Sequence, residues 1–216
     1  VRSVGLERAR HAFLAAADAA RACGRSDLLA QAALGRAQRP SSAGQEDSEV
    51  LALLDEALKA LPPEAEALRV RVRSRLAAEL RYSQREKSVE LADEALAAAR
   101  RLADPSVLAE TLEDSTFLRW SPSDPAAWIA LNAEVARSAR TANDLDLAIS
   151  GHKGCVSGAL EIGDLARVER EVRACERIAR EVPTPYARWW CAVLAASRSL
   201  IEGELDAAEA SILESI

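Results

Sequence analysis

An internal repeat of about 40 residues is the feature that most constrains the fold of this chain. A shift of 40 aligns IGDLARVE (162–169) with EGELDAAE (202–209), which puts a glycine, a leucine and a glutamate in register. Upstream the step shortens to 38, where LLDEALKAL (53–61) matches LADEALAAA (91–99). One repeat of this size cannot bury its apolar face by itself, whereas stacked neighbours bury a continuous core. The sequence therefore predicts a row of stacked repeats.

The marks of the repeat coincide with signals for helix boundaries. An aspartate or threonine before a proline is typical of a helix start, because the first side chain caps the helix and proline needs no N–H there. The chain has this pair at Asp104-Pro105, Asp124-Pro125 and Thr184-Pro185. Ser83 with Glu86 predicts a capping box, and Asp164 is expected to cap the helix that follows Gly163.

Between these boundaries the apolar spacing indicates helices. Leucines recur at intervals of three and four over 51–61, and runs with an alternation of two are absent, so no strand is predicted. We expect each repeat to hold a first helix (A) and a second helix (B). The predicted helices are 5–22, 26–37, 46–60, 64–82, 85–102, 105–120, 125–142, 145–161, 165–181, 185–202 and 205–216.

The predicted fold class is therefore all-α. We expect the helical hairpins to stack into a right-handed α-α superhelix. The prediction is one array over 1–216, in which the first helix is a lone B helix. Its predicted repeats are 1–23 (partial), 24–63, 64–103, 104–143, 144–183 and 184–216 (truncated). Because the sequence begins at Val1 and contains no methionine, we expect it to be a fragment of a longer protein.

Three segments carry a resemblance to a known repeat family. DEALKAL (55–61), DEALAAA (93–99) and GELDAAEA (203–210) resemble the second-helix signature of tetratricopeptide repeats, in a form longer than the usual repeat. The order of pieces, from RACGRSD through LLDEALKALPPE to LIEGELDAAEA, resembles the repeat region of large actinobacterial ATP-binding regulators of the LuxR and maltose-regulator type. The resemblance implies a module that receives a signal and restrains an ATPase.

The resemblance does not extend to nucleotide hydrolysis or DNA binding. GRAQRPSS (35–42) lacks the second glycine and the lysine of a GxxxxGK[ST] phosphate loop, and no basic helix-turn-helix is evident. The formal charge of −6 also argues against a nucleic-acid surface, which needs a concentrated basic face. No stretch approaches the roughly 20 apolar residues of a membrane span. We therefore expect a cytoplasmic protein without a cofactor.

The candidate binding site is one stripe along the A helices. Positions spaced 4, 3, 4 and 4 lie on one side of a helix, and this stripe is the most polar part of the A helices in the second to fourth full repeats. In repeat superhelices the A helices usually line the concave surface. The candidate residues there are Arg73, Glu110, Glu113, Phe117 and Lys153. They predict a mixed-charge groove for a protein or peptide, and the alternative is an ordinary solvated face.

In the last repeat the same stripe turns apolar, with Tyr186 and Trp190 beside Trp189. A large apolar patch should not stay exposed, so something is expected to cover it. Continuation of the repeat core is favoured over a second copy of the chain or a ligand. Other domains of the full-length chain are a further candidate partner. The aromatic pair Trp189 and Trp190 is nevertheless the first choice for a binding anchor.

Three further hypotheses come from other residues. Gly151, Gly154 and Gly158 indicate close contact with a neighbouring helix, or, as the alternative function, a small-molecule pocket near the fourth and fifth repeats. His152 and Cys155 lie three apart on one helix, where packing in the core is simpler than half of a metal site. A hydrolase using Cys155 has only that residue in its favour. The prediction is therefore a non-catalytic protein, with no catalytic, cofactor or metal site.

Overall fold

The computed structural model describes residues 2–37, 47–121 and 123–213. Within these residues the chain forms eleven α-helices and no strand, as the sequence predicts. The first six are α1 (Arg2–Ala22), α2 (Ser26–Arg36), α3 (Ser48–Ala60), α4 (Glu66–Leu80), α5 (Arg85–Leu102) and α6 (Pro105–Arg119). The others are α7 (Pro125–Thr141), α8 (Leu145–Glu161), α9 (Leu165–Glu181), α10 (Pro185–Glu202) and α11 (Leu205–Leu213). The even-numbered helices are the predicted A helices.

The helix boundaries follow the predicted step of 40 residues. The A helices α6, α8 and α10 begin at residues 105, 145 and 185, and the B helices α7, α9 and α11 begin at residues 125, 165 and 205. Two B helices and two A helices also end in left-handed backbone at equivalent positions: Ala103 and Asn143, and Gly163 and Gly203. A positive φ stops a helix and is easiest for glycine. The finer prediction of a right-handed superhelix of hairpins stays a prediction.

Four of the five side chains that were predicted to cap a helix do so. The side chains of Asp124, Asp164 and Thr184 each accept a hydrogen bond from the backbone N–H three residues later, at 2.9–3.0 Å. Asp104 accepts from the N–H groups of Ser106 and Val107. Such a cap satisfies an N–H group that has no partner within the helix and is worth about 1 kcal/mol.

The capping box predicted at Ser83 and Glu86 is wrong. The residue that precedes α5 is Gln84, and its side chain caps nothing. The N–H groups of Ser83 and Gln84 both donate to the carbonyl of Leu80, which keeps residues 81–83 in a turn after α4. The helix begins at Arg85, as predicted, so Gln84 and not Ser83 occupies the capping position.

The contacts between residues divide the chain into two compact units, Val1–Val107 (unit 1) and Leu108–Ile216 (unit 2). In unit 1 each helix from α1 to α4 contacts the next one along the chain, and α2 also contacts α4. In unit 2 the same holds from α7 to α10, and α8 also contacts α10. Contacts between successive A helices are what stacked hairpins require. The prediction of a single array over 1–216 stays a prediction.

Each unit has its own apolar core. The core of unit 1 is aliphatic and is centred on Leu54, with alanines and leucines from α1 to α4. The core of unit 2 contains Ile149 of α8 and the stripe of Val168, Val172 and Ile178 on α9. The spacing of that stripe places its side chains on one face of α9, toward α8. None of the described helices is long and apolar enough to cross a membrane.

Candidate functional site

Seven of the eight predicted site residues lie in unit 2, and the eighth, Arg73, lies in unit 1. Arg73 belongs to α4 of unit 1, where its Nε lies 3.6 Å from the Oε2 atom of Glu94 on α5. The seven others come from three successive A helices, α6, α8 and α10. Together with Ser150 they form what we name the A-helix face: Glu110, Glu113, Phe117, Ser150, Lys153, Tyr186, Trp189 and Trp190.

A hydrogen-bonded chain joins the three helices at the centre of the A-helix face. The buried Ser150 on α8 donates its hydroxyl hydrogen to Oε1 of Glu113 on α6, at 2.5 Å. Tyr186 on α10 lies beside Ser150, and burial raises the pKa of its phenol. Thr184, the cap of α10, donates to Oδ1 of Asp146 on α8 at 2.7 Å. These contacts fix the relative positions of α6, α8 and α10 within unit 2.

Lys153 and Trp190 form the second link between α8 and α10. The Nζ atom of Lys153 lies 4.3 Å from the centre of the Trp190 ring, which is the geometry of a cation–π contact. Loss of solvent lowers the pKa of Lys153, and the nearby Glu113 carboxylate opposes that effect. The ammonium group is thus held in place against an aromatic ring and beside an acidic group.

Aromatic rings extend the A-helix face on both sides of this centre. Trp189 and Trp190 meet edge to face with ring centres 4.6 Å apart, and Tyr186 contacts Trp190 at 6.4 Å. Trp189 is 44% exposed and Phe117 is 66% exposed. Large, partly exposed rings on a rigid helical scaffold are the kind of side chain that anchors a protein partner.

The apolar stripe of α10 that was predicted to need a cover is partly exposed. Tyr186 at its start is 37% exposed and Ile201 at its end is 44% exposed, whereas Trp190 is half-buried, and the neighbouring Leu200 is 54% exposed. The side chains between them on the same stripe, Val193 and Ser197, are half-buried. The A-helix face therefore continues along α10 as an apolar surface.

The three glycines of α8 serve close packing against α7. A Cβ atom on Gly151 would lie 2.5 Å from the backbone N of Ala136, and one on Gly154 would lie 1.8 Å from Oδ1 of Asn132. The close approach lets the indole N–H of Trp128 donate to the carbonyl of Gly154 at 2.9 Å. The expected helix contact is present, and α7 fills the space beside these glycines.

The Cys155 thiol lacks the features of a catalytic nucleophile. It is fully buried, and burial raises its pKa to about 12, whereas a catalytic thiol is held in the thiolate form by a lowered pKa. Its Sγ atom lies 3.5 Å from the carbonyl oxygen of Ile129. In the described part of the chain, no three His, Cys, Asp or Glu side chains converge as a metal site would require.

His152 is not the core side chain that the sequence suggested. It is half-buried, and its Nδ1 lies 2.6 Å from Oε2 of Glu171 on α9. Both residues line an open groove of about 560 Å³ formed by α7, α8 and α9, which we name the α7–α9 groove. Its lining is Ala133, Ala136, Arg137, Arg140, Thr141, His152, Glu171, Ala174, Arg177 and Ile178. Sequence reasoning missed this groove, although Arg137 and Arg177 are one repeat step apart.

No family model matches the chain, and no curated protein matches it in sequence.

Proposed function

We propose that this chain is a tetratricopeptide-like array of helical hairpins that binds a protein or peptide partner on the A-helix face of unit 2 and catalyses no reaction. The observation that carries the proposal is the contact network across α6, α8 and α10, in which Ser150 bonds to Glu113 and Lys153 lies on Trp190. A surface preorganised in this way loses little conformational entropy when a partner binds.

The charges on this surface favour a basic partner. The A-helix face has two carboxylates, Glu110 and Glu113, against the single ammonium of Lys153, and Asp146 adds a third carboxylate one turn before Ser150 on α8. Lys153 is already engaged by the Trp190 ring and lies near Glu113. Complementary charge steers a partner to the surface and fixes its register. The partner we propose is therefore an amphipathic segment with lysines or arginines and one bulky apolar residue for the Trp189 and Phe117 rings.

A binding assay with two designed peptides tests this proposal. A dye-labelled amphipathic helix of lysine and leucine is compared with its counterpart of glutamate and leucine, by fluorescence anisotropy on the full chain. We expect the lysine peptide to bind at least tenfold more tightly. Trp189→Ala should weaken its binding by about tenfold, since an aromatic anchor is worth 1 kcal/mol or more.

Tyr82→Ala is the control. Tyr82 is an aromatic side chain of unit 1 that is 57% exposed and does not belong to the A-helix face. Its loss should leave the affinity unchanged. Equal affinity for both peptides, equal losses in the Trp189 and Tyr82 variants, or no binding at all would contradict the proposal.

The resemblance in the sequence supports a cellular context for this binding. We propose that the chain works in the cytoplasm as the signal-receiving module of a larger ATP-binding regulator, where the bound segment belongs to a partner protein or to another domain of the same regulator. Reading the gene on either side tests this. A GxxxxGK[ST] phosphate loop upstream and a DNA-binding helix pair downstream are expected, and a complete stand-alone gene would contradict it.

A further inference from the structure

We infer that the α7–α9 groove binds a small organic anion, a molecule that carries a carboxylate or phosphate group on a short carbon skeleton. This site lies on α7, the flank of α8 at His152, and α9, and it shares no residue with the A-helix face. Its volume of about 560 Å³ falls within the range of 300–1,000 Å³ that is typical of small-molecule sites.

The charge of the groove comes from two arginines that form no ion pair with any residue that the structure describes. Within the described residues, Arg137 on α7 and Arg177 on α9 form no ion pair, and both side chains are exposed. The third arginine of the lining, Arg140, is bound to Glu181 at 2.9 Å. A guanidinium group presents a planar set of donors that matches a carboxylate or phosphate. Two such groups on opposite walls are suited to hold one anion.

The only carboxylate in the described lining of the groove is itself engaged. The Oε2 atom of Glu171 lies 2.6 Å from Nδ1 of His152. This contact offsets part of the repulsion between the Glu171 carboxylate and a bound anion. Apart from Thr141, the remaining lining of the groove is apolar and comes from Ala133, Ala136, Ala174 and Ile178. These small side chains leave room for the carbon skeleton between the two arginines.

The repeat register sets this pair of arginines apart from the rest of the array. Arg137 and Arg177 are separated by 177 − 137 = 40 residues, one step of the repeat, so they occupy the same position on successive B helices. One step earlier, at 137 − 40 = 97, α5 has Ala97. A general solubilising role for arginine at this position would not single out α7 and α9. The pairing points to one groove.

Citrate and inorganic phosphate are the two probes for the test. The full chain is labelled with ¹⁵N and titrated with each probe at constant ionic strength, and amide shifts are followed. We expect saturable shifts confined to the lining of the groove. A stronger effect of citrate identifies a polycarboxylate ligand, and a stronger effect of phosphate identifies a phosphorylated one.

Substitution of the two arginines completes the test. Arg137→Gln and Arg177→Gln should each weaken binding by tenfold or more, while helical circular dichroism stays unchanged because glutamine is a good helix former. The matched control is Arg170→Gln, an exposed arginine on α9 that does not line the groove. Absence of saturable shifts with both probes would overturn the inference, and so would an equal loss in the Arg170 variant.

Discussion

Surface ion pairs join helices in both units of this chain, as Arg140 and Glu181 do in unit 2, but the two units differ in the close helix contacts and aromatic residues that they add. In unit 1, ion pairs connect neighbouring helices at the surface: Arg21 of α1 contacts both carboxylate oxygens of Glu56 on α3 at 2.7 Å, and Arg10 contacts Glu49 at 2.9 Å. In unit 2, glycines bring α7 and α8 into backbone contact. The only aromatic residues of unit 1 are Phe13 and Tyr82, whereas all four tryptophans lie in unit 2.

This difference separates a supporting role from a binding role. Exposed ion pairs contribute little each, so the surface pairs of unit 1 tolerate change. Close backbone contact leaves little freedom, so α7 and α8 give unit 2 a rigid platform. Its partly exposed rings and its groove lie on that platform. We therefore expect substitutions in unit 2 to affect binding and those in unit 1 to affect stability alone.

The largest effect is expected from the buried ion pair of unit 1. Glu79 is 6% exposed and accepts a hydrogen bond from Arg75 at 2.8 Å. Glu79→Gln removes the buried negative charge that faces the Arg75 guanidinium. This change should lower the free energy of unfolding by about 3–5 kcal/mol. Glu94→Gln is the control, since that side chain is 53% exposed, and it should cost about 0.5 kcal/mol or less. Urea unfolding followed by circular dichroism measures both, and equal losses would contradict this assignment.

Gly151→Ala should produce the next largest effect, in unit 2. The added Cβ would meet the backbone of α7, so the helices must separate, at a cost of about 3 kcal/mol. Tryptophan fluorescence during urea unfolding reports on this unit. The three atoms nearest to a Cβ on Gly35 in unit 1 all belong to the ring of Phe13, a side chain that can shift, so Gly35→Ala should cost about 1 kcal/mol or less when unfolding is followed by circular dichroism. Stabilisation by Gly151→Ala, as helix propensity alone predicts, would disprove the close contact.

A gain in stability is expected where the two units share a helix-ending position. Ala103 in unit 1 and Asn143 in unit 2 both have left-handed backbone, with φ of 54° and 59°. Ala103→Gly relieves strain and should add about 1 kcal/mol, and Asn143→Gly about half of that, because asparagine tolerates this conformation better. Ala142→Gly is the control, since its φ of −76° needs no glycine, and it should destabilise. Thermal unfolding ranks the three variants, and no gain for Ala103→Gly would argue against the left-handed turn.

The smallest effect is expected at the exposed pair of Arg21 and Glu56. The hydrogen bond from Arg21 lowers the pKa of Glu56, so this pair stabilises unit 1 above the ordinary value of 4.5. Its contribution is lost as the pH falls below that value through the lower pKa of the folded state. Glu56→Gln should cost about 0.5 kcal/mol at pH 7 and nothing at pH 2. Melting curves at the two pH values measure this, and an equal cost at both would contradict the pairing.

The sequence predicted the helices well because the information on their boundaries is local. Asp124, Asp164 and Thr184 cap the helices that follow them through bonds that reach only three residues along the chain. The A-helix stripe came from periodicity, which predicts which positions share one side of a helix. Ser150, Lys153 and Tyr186 accordingly meet in unit 2.

The parts that sequence could not predict depend on distant residues. The α7–α9 groove depends on how far apart α7 and α9 lie, and both of these helices pack on α8. The glycines of α8 allow its close approach to Asn132 and Ala136 on α7. The Glu171 partner of His152 lies 19 residues away on the next helix. The position of Gln84 before α5 depends on how the preceding helix ends. No local pattern specifies these contacts.

The most direct test of the central claim is a map of where the basic peptide binds. The full chain labelled with ¹⁵N is titrated with the amphipathic lysine and leucine peptide, and the amide and indole signals are followed. We expect the largest shifts at Glu113, Lys153 and the Trp189 and Trp190 indoles, with little change in unit 1. Shifts that fall mainly on unit 1, or on the α7 and α9 helices, would contradict the assignment of the A-helix face as the binding surface.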